Sequence, residues 1–221
     1  MRFFSALIII ALLLPGRTSM QLPQRLNRKH RRHHLQPAGT PPPPPTCAAT
    51  VLAPSVLAGI TEDHAYEQFF FDAPTRASLL SLLSTYQRPL LLCTPSLAVA
   101  ADEAGIWPYK LLDCDDRFSF LRAFQYFDLN HPSGLEDYEY DAVLCDPPFA
   151  NFELSRLRFV LKVLSRSDEA CSVPLYLCYN GRREEAVRKE FPQLQRLSDS
   201  PLGYESVKSS TQKHIFLYGP K

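Results

Sequence analysis

Residues 141–149 read Asp-Ala-Val-Leu-Cys-Asp-Pro-Pro-Phe and constrain the fold more than any other segment of the chain. The apolar run at 142–145 has turn-forming residues directly after it, which is typical of a strand buried on both faces of a parallel sheet. Asp146 then follows the carboxyl end of that strand. Because open α/β sheets bind their ligands at this edge, the pattern predicts that Asp146 lies in a binding site.

Two consecutive prolines stiffen the chain after Asp146. Pro148 restricts Pro147 to an extended conformation, and neither ring nitrogen can donate a hydrogen bond. The Asp146 carboxylate and the Pro147 carbonyl group suit a planar amino group, because two accepted hydrogen bonds orient its nitrogen toward an electrophile. Phe149 is placed to stack on the ring that carries this amino group. The alternative interpretation is an ordinary strand with an Asp-Pro turn, in a chain that has 20 prolines.

Seven short segments are predicted to form strands. They lie at 89–93, 109–112, 125–128, 142–145, 173–179, 194–198 and 214–218. Helices are predicted to begin near Asp72 and to cover 97–104, 152–164 and 181–190. With right-handed crossovers, this alternation predicts an α/β fold in which a doubly wound, mostly parallel seven-stranded sheet carries helices on both faces.

The charge of the chain is distributed unevenly. No Asp or Glu precedes Glu62, whereas seven of the 24 basic residues do, so 17 basic residues face 23 acidic ones in the remainder. This acidic balance counts against a large RNA footprint, because nonspecific affinity for nucleic acid comes mainly from Lys and Arg. The six cysteines include no C-x-x-C pair, so we expect no metal site and a reduced, intracellular setting.

Residues 1–46 differ in composition from the rest of the chain. The apolar run at 3–14 is shorter than the ~20 residues that a membrane-spanning helix needs, but it fits a targeting signal. A basic stretch and a polyproline run follow it. We therefore predict a leader at 1–46, a linker at 47–61 and a folded domain, without stable membrane insertion, at 62–221.

Three origins of the leader remain open. A targeting leader would send the protein to a plastid or a mitochondrion, and without one we expect a cytoplasmic protein. A basic RNA-binding arm, or a start codon placed too far upstream, would produce the same composition.

The chain also resembles a known family. Asp146-Pro147-Pro148-Phe149 matches the motif of amino-group methyltransferases that use S-adenosylmethionine. From about Tyr66 to Tyr218 the chain resembles the N6-adenine methyltransferase-like family. The resemblance is carried by Glu67-Gln68-Phe69-Phe70-Phe71, Leu92-Cys93-Thr94-Pro95-Ser96, Leu111-Leu112-Asp113-Cys114-Asp115-Asp116-Arg117-Phe118 and Phe127-Asp128-Leu129-Asn130. It implies a Rossmann-like class I methyltransferase domain with S-adenosylmethionine as cofactor and with Asp146, Pro147, Pro148 and Phe149 as catalytic residues.

The resemblance further implies that Thr94 and Pro95, after the first strand, contact the cofactor. Most methyltransferases of this fold have a glycine-rich loop there, because glycine lets the backbone approach the ligand. This chain has no glycine between Gly59 and Gly105. In this chain, small residues and proline therefore replace the glycines of that loop.

The ribose of the cofactor is expected at Asp113. This residue ends the second strand, 19 positions after Thr94, where a carboxylate accepts hydrogen bonds from ribose hydroxyl groups. Asp115 is the alternative ribose ligand, unless it pairs with Arg117.

Two further groups of residues are candidates for cofactor binding. Asp128 and Asn130 would contact the adenine ring, or would instead cap their own backbone in a turn. Gln68, Phe69 and Thr75 resemble a segment that closes over the methionine end in related methyltransferases, although a core role for the aromatic residue is the alternative.

Three hypotheses describe the function, and two of them name a methyl acceptor. Phe149 in place of tyrosine and the block Leu-Leu-Asp-x-Asp-x-Arg-Phe resemble the branch of the family that methylates adenine in ribosomal RNA, which we favour. The acidic domain favours the branch that methylates a lysine of a translation factor, elongation factor 1-alpha. The glycine-poor loop leaves open a catalytically silent adaptor. We expect a monomer in each case.

Five basic residues are candidates for a local phosphate or acidic-peptide contact. Arg158, Lys162 and Arg166 recur at four-residue spacing on the helix after the Asp-Pro-Pro-Phe segment. Arg182 and Arg183 begin the next helical segment. A solvated surface is the ordinary alternative for such residues.

Overall fold

A computed structural model of the protein describes residues 56–135, 137–148, 152–166 and 170–221. The leader predicted at 1–46, most of the linker and the aromatic residue Phe149 lie outside these ranges. Within the described residues, seven strands form one sheet, and helices pack against both of its faces.

The sheet is mostly parallel. Its strands are β1 (Pro89–Leu92), β2 (Lys110–Asp113), β3 (Phe124–Tyr126), β4 (Ala142–Cys145), β5 (Leu175–Asn180), β6 (Leu194–Arg196) and β7 (Ile215–Pro220). They are ordered β3-β2-β1-β4-β5-β7-β6, and β7 alone runs antiparallel to both of its neighbours. The predicted doubly wound α/β sheet is therefore confirmed.

Two hydrophobic clusters lie on opposite faces of the sheet. The helices are α1 (Ala73–Leu83), α2 (Pro95–Glu103), α3 (Leu154–Ser165), α4 (Glu184–Glu190) and α5 (Ser209–Gln212). Leu90 and Leu92 of β1 pack in the cluster that contains α3 and α4, whereas Leu91 packs in the cluster that contains α1 and α2. Because successive side chains of a strand point to opposite faces, this apolar run needs cover on both sides.

Some boundaries differ from the predicted ones. α2 begins at Pro95 rather than at residue 97, because the fixed φ of proline suits the first turn of a helix. β3 ends at Tyr126, two residues before the predicted end. The short helix α5 was not predicted, because four polar residues have no apolar periodicity.

A segment near the carboxyl terminus ties α1 to the sheet. The Leu202 N–H donates to the Ile215 carbonyl at 2.8 Å, and the Gly203 N–H donates to Thr75 Oγ1 at 2.8 Å. The Gly203 carbonyl accepts the Asp72 N–H at 3.0 Å. Residues 202–205 are thereby held against the start of α1.

None of the helices in the described ranges combines the length and the apolar character that crossing a membrane requires.

Gly203→Ala is expected to lower the free energy of unfolding by about 1–2 kcal/mol, the usual effect of losing a helix N-cap. A Cβ atom at this position would collide with the carboxylate of Asp72, which caps α1 by accepting the Thr75 N–H at 2.9 Å. Urea denaturation measures the change. Gly59→Ala is the matched control, because a Cβ atom there meets nothing within 4 Å. Equal destabilisation by the two substitutions would contradict this account of Gly203.

Candidate active site

A cleft opens at the carboxyl ends of β1, β2 and β4. Nine of the twelve residues predicted for the site line it: Gln68, Phe69, Pro95, Asp113, Asp128, Asn130, Asp146, Pro147 and Pro148. The parallel register explains this convergence, because Leu92 pairs with both Leu112 and Cys145 and so aligns the three strand ends.

Three predicted residues do not line the described cleft. Thr75 is buried in α1, where its hydroxyl accepts the Gly203 N–H instead of facing the cleft. Thr94 is buried next to the cleft, and its hydroxyl has no hydrogen-bond partner within the described residues. Phe149 lies outside the described residues.

Asp113 is a buried carboxylate at the end of β2. Burial raises its pKa to about 6, although backbone N–H groups of Asp115 and Cys114 oppose the shift. One of these hydrogen bonds, from the Asp115 N–H to Asp113 Oδ1, is 2.9 Å long. Its other lone pairs remain available to hydroxyl donors in the cleft.

Asp115 is engaged with Arg117 and Gln68 instead. Its Oδ2 atom accepts hydrogen bonds from Arg117 Nη2 at 2.7 Å and from Gln68 Nε2 at 2.8 Å. Burial alone would raise the pKa of Asp115, but these hydrogen bonds lower it. The predicted pairing with Arg117 is confirmed, and Asp113 is the better placed of the two carboxylates for ribose.

Arg117 also binds the segment around Gln68, which lines the cleft. It donates to the Thr61 carbonyl and to Gln68 Oε1, both at 3.0 Å. Phe69 follows on the same segment and stacks on His64 with ring centroids 5.1 Å apart. Gln68 and Phe69, two of the three residues predicted to close over the cofactor, thus lie at the cleft, and Gln68 is bound there by both Arg117 and Asp115.

Cys93 has a backbone conformation that glycine adopts more readily than other residues. It follows β1 with φ of 57°, in the left-handed region. For a residue with a side chain this costs about 1–2 kcal/mol, and it turns the chain sharply into α2. The absence of glycine therefore does not prevent the tight turn between Leu92 and Pro95.

Asp128 and Asn130 form a turn at the cleft. Asp128 Oδ1 accepts the Asn130 N–H at 2.8 Å, and Oδ2 lies 2.8 Å from His131 Nδ1. This is the predicted turn, in which the aspartate caps its own backbone. Both residues also line the cleft, next to the apolar side chains of Phe127 and Leu129.

Asp146 lies at the end of β4 with a partner that sequence reasoning missed. The Tyr204 hydroxyl donates to Asp146 Oδ1 at 3.1 Å and to Oδ2 at 3.2 Å. Burial raises the pKa of Asp146 well above its ordinary value, and the hydrogen bond from Tyr204 opposes this. Tyr204 is 58 positions away in the chain, and no local pattern in the sequence indicates the contact.

The side chains that line the cleft fit S-adenosylmethionine. The carboxylates of Asp113 and Asp128 can accept hydrogen bonds from hydroxyl and amino groups, and Phe127, Leu129 and Phe152 offer apolar surface to a flat ring. When bound, this cofactor supplies an electrophilic methyl group.

A family model described as "Probable N6-adenine methyltransferase" matches residues 62–215. The chain belongs to this family. It is therefore an S-adenosylmethionine-dependent methyltransferase, and its strand order is that of a Rossmann-like class I methyltransferase. No curated protein sequence matches the chain.

Several solved structures are similar to this member of the N6-adenine methyltransferase family. Protein 1320 of Thermoplasma acidophilum has 16% identity and a TM-score of 0.46, over 70% of this chain and 90% of its own. The N-methyltransferase NodS of Bradyrhizobium japonicum, in complex with S-adenosyl-L-homocysteine, has 14% identity and a TM-score of 0.43, over 70% and 88%. The tRNA (uracil-54, C5)-methyltransferase of Pyrococcus abyssi has 14% identity and a TM-score of 0.44, over 69% and 40%.

The affinity for S-adenosylmethionine is expected to fall as the pH drops through about 6, the pKa of Asp113. Above that pH the carboxylate accepts hydrogen bonds from hydroxyl groups, and below it one oxygen carries a proton, so the dissociation constant should rise about tenfold per pH unit. Asp113→Asn should weaken binding about 10- to 100-fold at neutral pH and should remove this pH dependence. Isothermal titration calorimetry measures both effects.

Asp141→Asn is the matched control for Asp113→Asn. The Asp141 carboxylate also accepts backbone N–H groups, from Gln87 and Arg88, but at the start of β4 on the opposite edge of the sheet. If the control weakened cofactor binding equally, the assignment of Asp113 would be wrong.

Proposed function

We propose that this methyltransferase transfers the methyl group of S-adenosylmethionine to the N6 amino group of adenine in RNA, with ribosomal RNA as the substrate class. The observation that carries the proposal is that Asp146 and Pro147 both line the cofactor cleft, since a carboxylate and a backbone carbonyl group can together accept two hydrogen bonds. An adenine amino group has two N–H donors and lies in the plane of its ring, so both donors can be engaged at once.

Asp146 and Pro147 would act mainly by positioning. Hydrogen bonds to Asp146 and Pro147 hold the amino nitrogen with its lone pair toward the methyl carbon and raise its electron density. A new N–C bond forms as the S–C bond breaks, and the nitrogen then loses one proton. The Asp146 carboxylate, with a pKa raised by burial, is placed to take that proton.

A group of basic side chains supports RNA as the acceptor. We call it the basic rim and define it as Arg182, Lys208 and Lys213. All three are exposed, and none forms an ion pair with a carboxylate in the described part of the chain. The rim lies at the end of β5 and the start of β7, which pair through Asn180 and Ile215.

The position of the basic rim suits phosphates next to the methylated base. β5 is the neighbour of β4, and strands are spaced by about 4.8 Å, so the rim adjoins the edge at which Asp146 lies. Partial desolvation and the charges of Arg182 and Lys213 lower the pKa of His214. The neutral ring of His214 accepts a hydrogen bond from Arg182 Nη2 at 2.8 Å. The local field is thus positive although the domain as a whole is acidic.

That acidic balance supports the second candidate, a lysine of a translation factor. From Glu62 onward the chain has 23 acidic residues and 17 basic ones. Carboxylates attract a lysine side chain, which must lose its proton before it can attack. The exposed cations beside the acceptor edge make the RNA substrate the better supported of the two.

We propose three further features of the protein. The methyltransferase domain would span residues 62–221 and act as a monomer. Residues 1–46 would form a removable leader that directs the protein to a plastid or a mitochondrion.

Asp146→Ala is expected to reduce methyl transfer by about 100- to 1000-fold, because it removes one of two groups that hold the amino nitrogen. The assay combines the protein, labelled S-adenosylmethionine, purified ribosomal RNA and elongation factor 1-alpha. We expect label in N6-methyladenine after nuclease digestion, and binding of the cofactor to the variant at wild-type affinity. Label found in protein alone would refute the RNA substrate, and turnover retained by the variant would refute the role of Asp146.

Charge reversal at the basic rim tests its role in RNA binding. Arg182→Glu combined with Lys213→Glu should weaken RNA binding about tenfold or more. The slope of log affinity against log salt should fall by about 0.7–0.9 for each phosphate that the variant no longer neutralises. Lys189→Glu combined with Lys221→Glu is the matched control, because it also reverses two exposed basic residues, in the last turn of α4 and after the end of β7. An equal effect of the control, measured by fluorescence anisotropy at several salt concentrations, would show that net charge alone is responsible.

A further inference from the structure

We propose that Tyr204 is a positioning residue of the methyl-acceptor site, whose hydroxyl group holds the Asp146 carboxylate in the orientation that receives the acceptor's amino group. The inference rests on the proposed function of Asp146. No residue pattern singles out Tyr204, and neither the family match nor the similar structures assign it a role.

The Tyr204 hydroxyl contacts the Asp146 carboxylate from the side that faces away from the cleft. The Tyr204 hydroxyl lies 3.1 Å from Asp146 Oδ1 and 3.2 Å from Oδ2, so its single proton is shared between both oxygens. Tyr204 is 4% exposed and does not line the cleft, whereas Asp146 does. The phenol therefore approaches from the interior, and lone pairs on both oxygens remain for a ligand in the cleft.

The backbone around Tyr204 leaves its hydroxyl little freedom. The Gly203 N–H is bonded to Thr75 Oγ1, and the Glu205 N–H donates to the Phe70 carbonyl at 2.8 Å. The Tyr204 ring packs on Phe71 with ring centroids 4.9 Å apart. Contacts with α1 and with the segment before it hold the backbone on both sides of Tyr204. The hydroxyl group is therefore held in a fixed position next to Asp146.

The charge environment makes this single hydrogen bond important. The titratable groups that face Asp146 are the thiols of Cys93, Cys145 and Cys178, on or next to β1, β4 and β5, and the phenol of Tyr204. Burial raises the pKa of each thiol, so all three are neutral. Within the described residues, the Tyr204 hydroxyl is thus the group that opposes the rise in the pKa of Asp146.

The sign of the pH effect follows from these contacts. The ionised carboxylate accepts hydrogen bonds, so activity should rise as the pH increases through the pKa of Asp146. Without the Tyr204 hydroxyl that pKa rises further. The loss of activity should therefore be largest at low pH and should diminish at high pH.

Tyr204→Phe tests the proposal, because it removes one oxygen and keeps the ring that packs on Phe71. A hydrogen bond to a charged group corresponds to a change of about tenfold or more, so methyl transfer should fall about tenfold on the acidic limb of the rate profile, and that limb should move up by about one pH unit. Cofactor affinity should stay close to the wild-type value, and the thermal midpoint should fall by only a few degrees.

Tyr86→Phe is the matched control. It deletes the same oxygen from another partly buried pair, in which the Tyr86 and Tyr176 hydroxyl groups are 2.6 Å apart. Tyr86 precedes β1, at the edge of the sheet opposite to Asp146. The control should leave the pH profile unchanged. A uniform loss at every pH in Tyr204→Phe, or the same shift in the control, would overturn the proposal.

A second measurement does not depend on the identity of the acceptor. Carbon-13 NMR of the Asp146 carboxyl group in the acceptor-free protein, assigned with Asp146→Asn, gives its titration midpoint directly. The midpoint should lie higher in Tyr204→Phe than in the wild-type protein, and an unchanged midpoint would overturn the proposal. If the wild-type protein failed to methylate RNA while the midpoint shifted, the proposed function would fail and the role of Tyr204 would stand.

Discussion

The parallel pairing of β1 with β2 and β4 is the constraint on which the rest of the structure depends. The Asp146 N–H donates to the Leu92 carbonyl at 3.1 Å, and the Cys93 N–H donates to the Leu112 carbonyl at 2.9 Å. These bonds bring three strand ends to one level, where the chain can turn away and expose polar side chains. A shift of one residue in either pairing would send these side chains to the opposite faces of the sheet.

The two carboxylates at this edge are stabilised in different ways. Burial raises the pKa of both Asp113 and Asp146, so each needs donors to remain ionised. Asp113 receives backbone N–H groups from its own loop, whereas Asp146 is followed by two prolines and receives a phenol from a distant segment. Pro147 and Pro148 have no N–H group, so this segment offers acceptors to a ligand. For the same reason it offers the Asp146 carboxylate no backbone donor.

The electrostatics of the domain are arranged by position rather than by composition. Acidic side chains of Asp113, Asp115 and Asp128 gather around the cofactor cleft, while Arg182 and Lys213 stand on the neighbouring part of the same edge. The net charge of the domain is an average over both regions, so it indicates neither the acidic cleft nor the basic rim. A substrate that carries phosphates and a cofactor that carries hydroxyl groups would each meet the sign of charge that suits it.

Local sequence patterns were sufficient to predict the strand that precedes Asp146, the class of the fold and most of the residues that line the cleft. Buried parallel strands need continuous apolar runs, and the residues at their ends follow directly in the chain, so local patterns contain both. Three features could be established only from the packed structure: Asp115 binds Arg117 and Gln68, the Thr75 hydroxyl accepts the Gly203 N–H, and Cys93 adopts the left-handed conformation. The packed structure also decided the contact of Tyr204 with Asp146, because pairing between segments 58 positions apart depends on how the whole sheet packs and leaves no periodic trace in either segment.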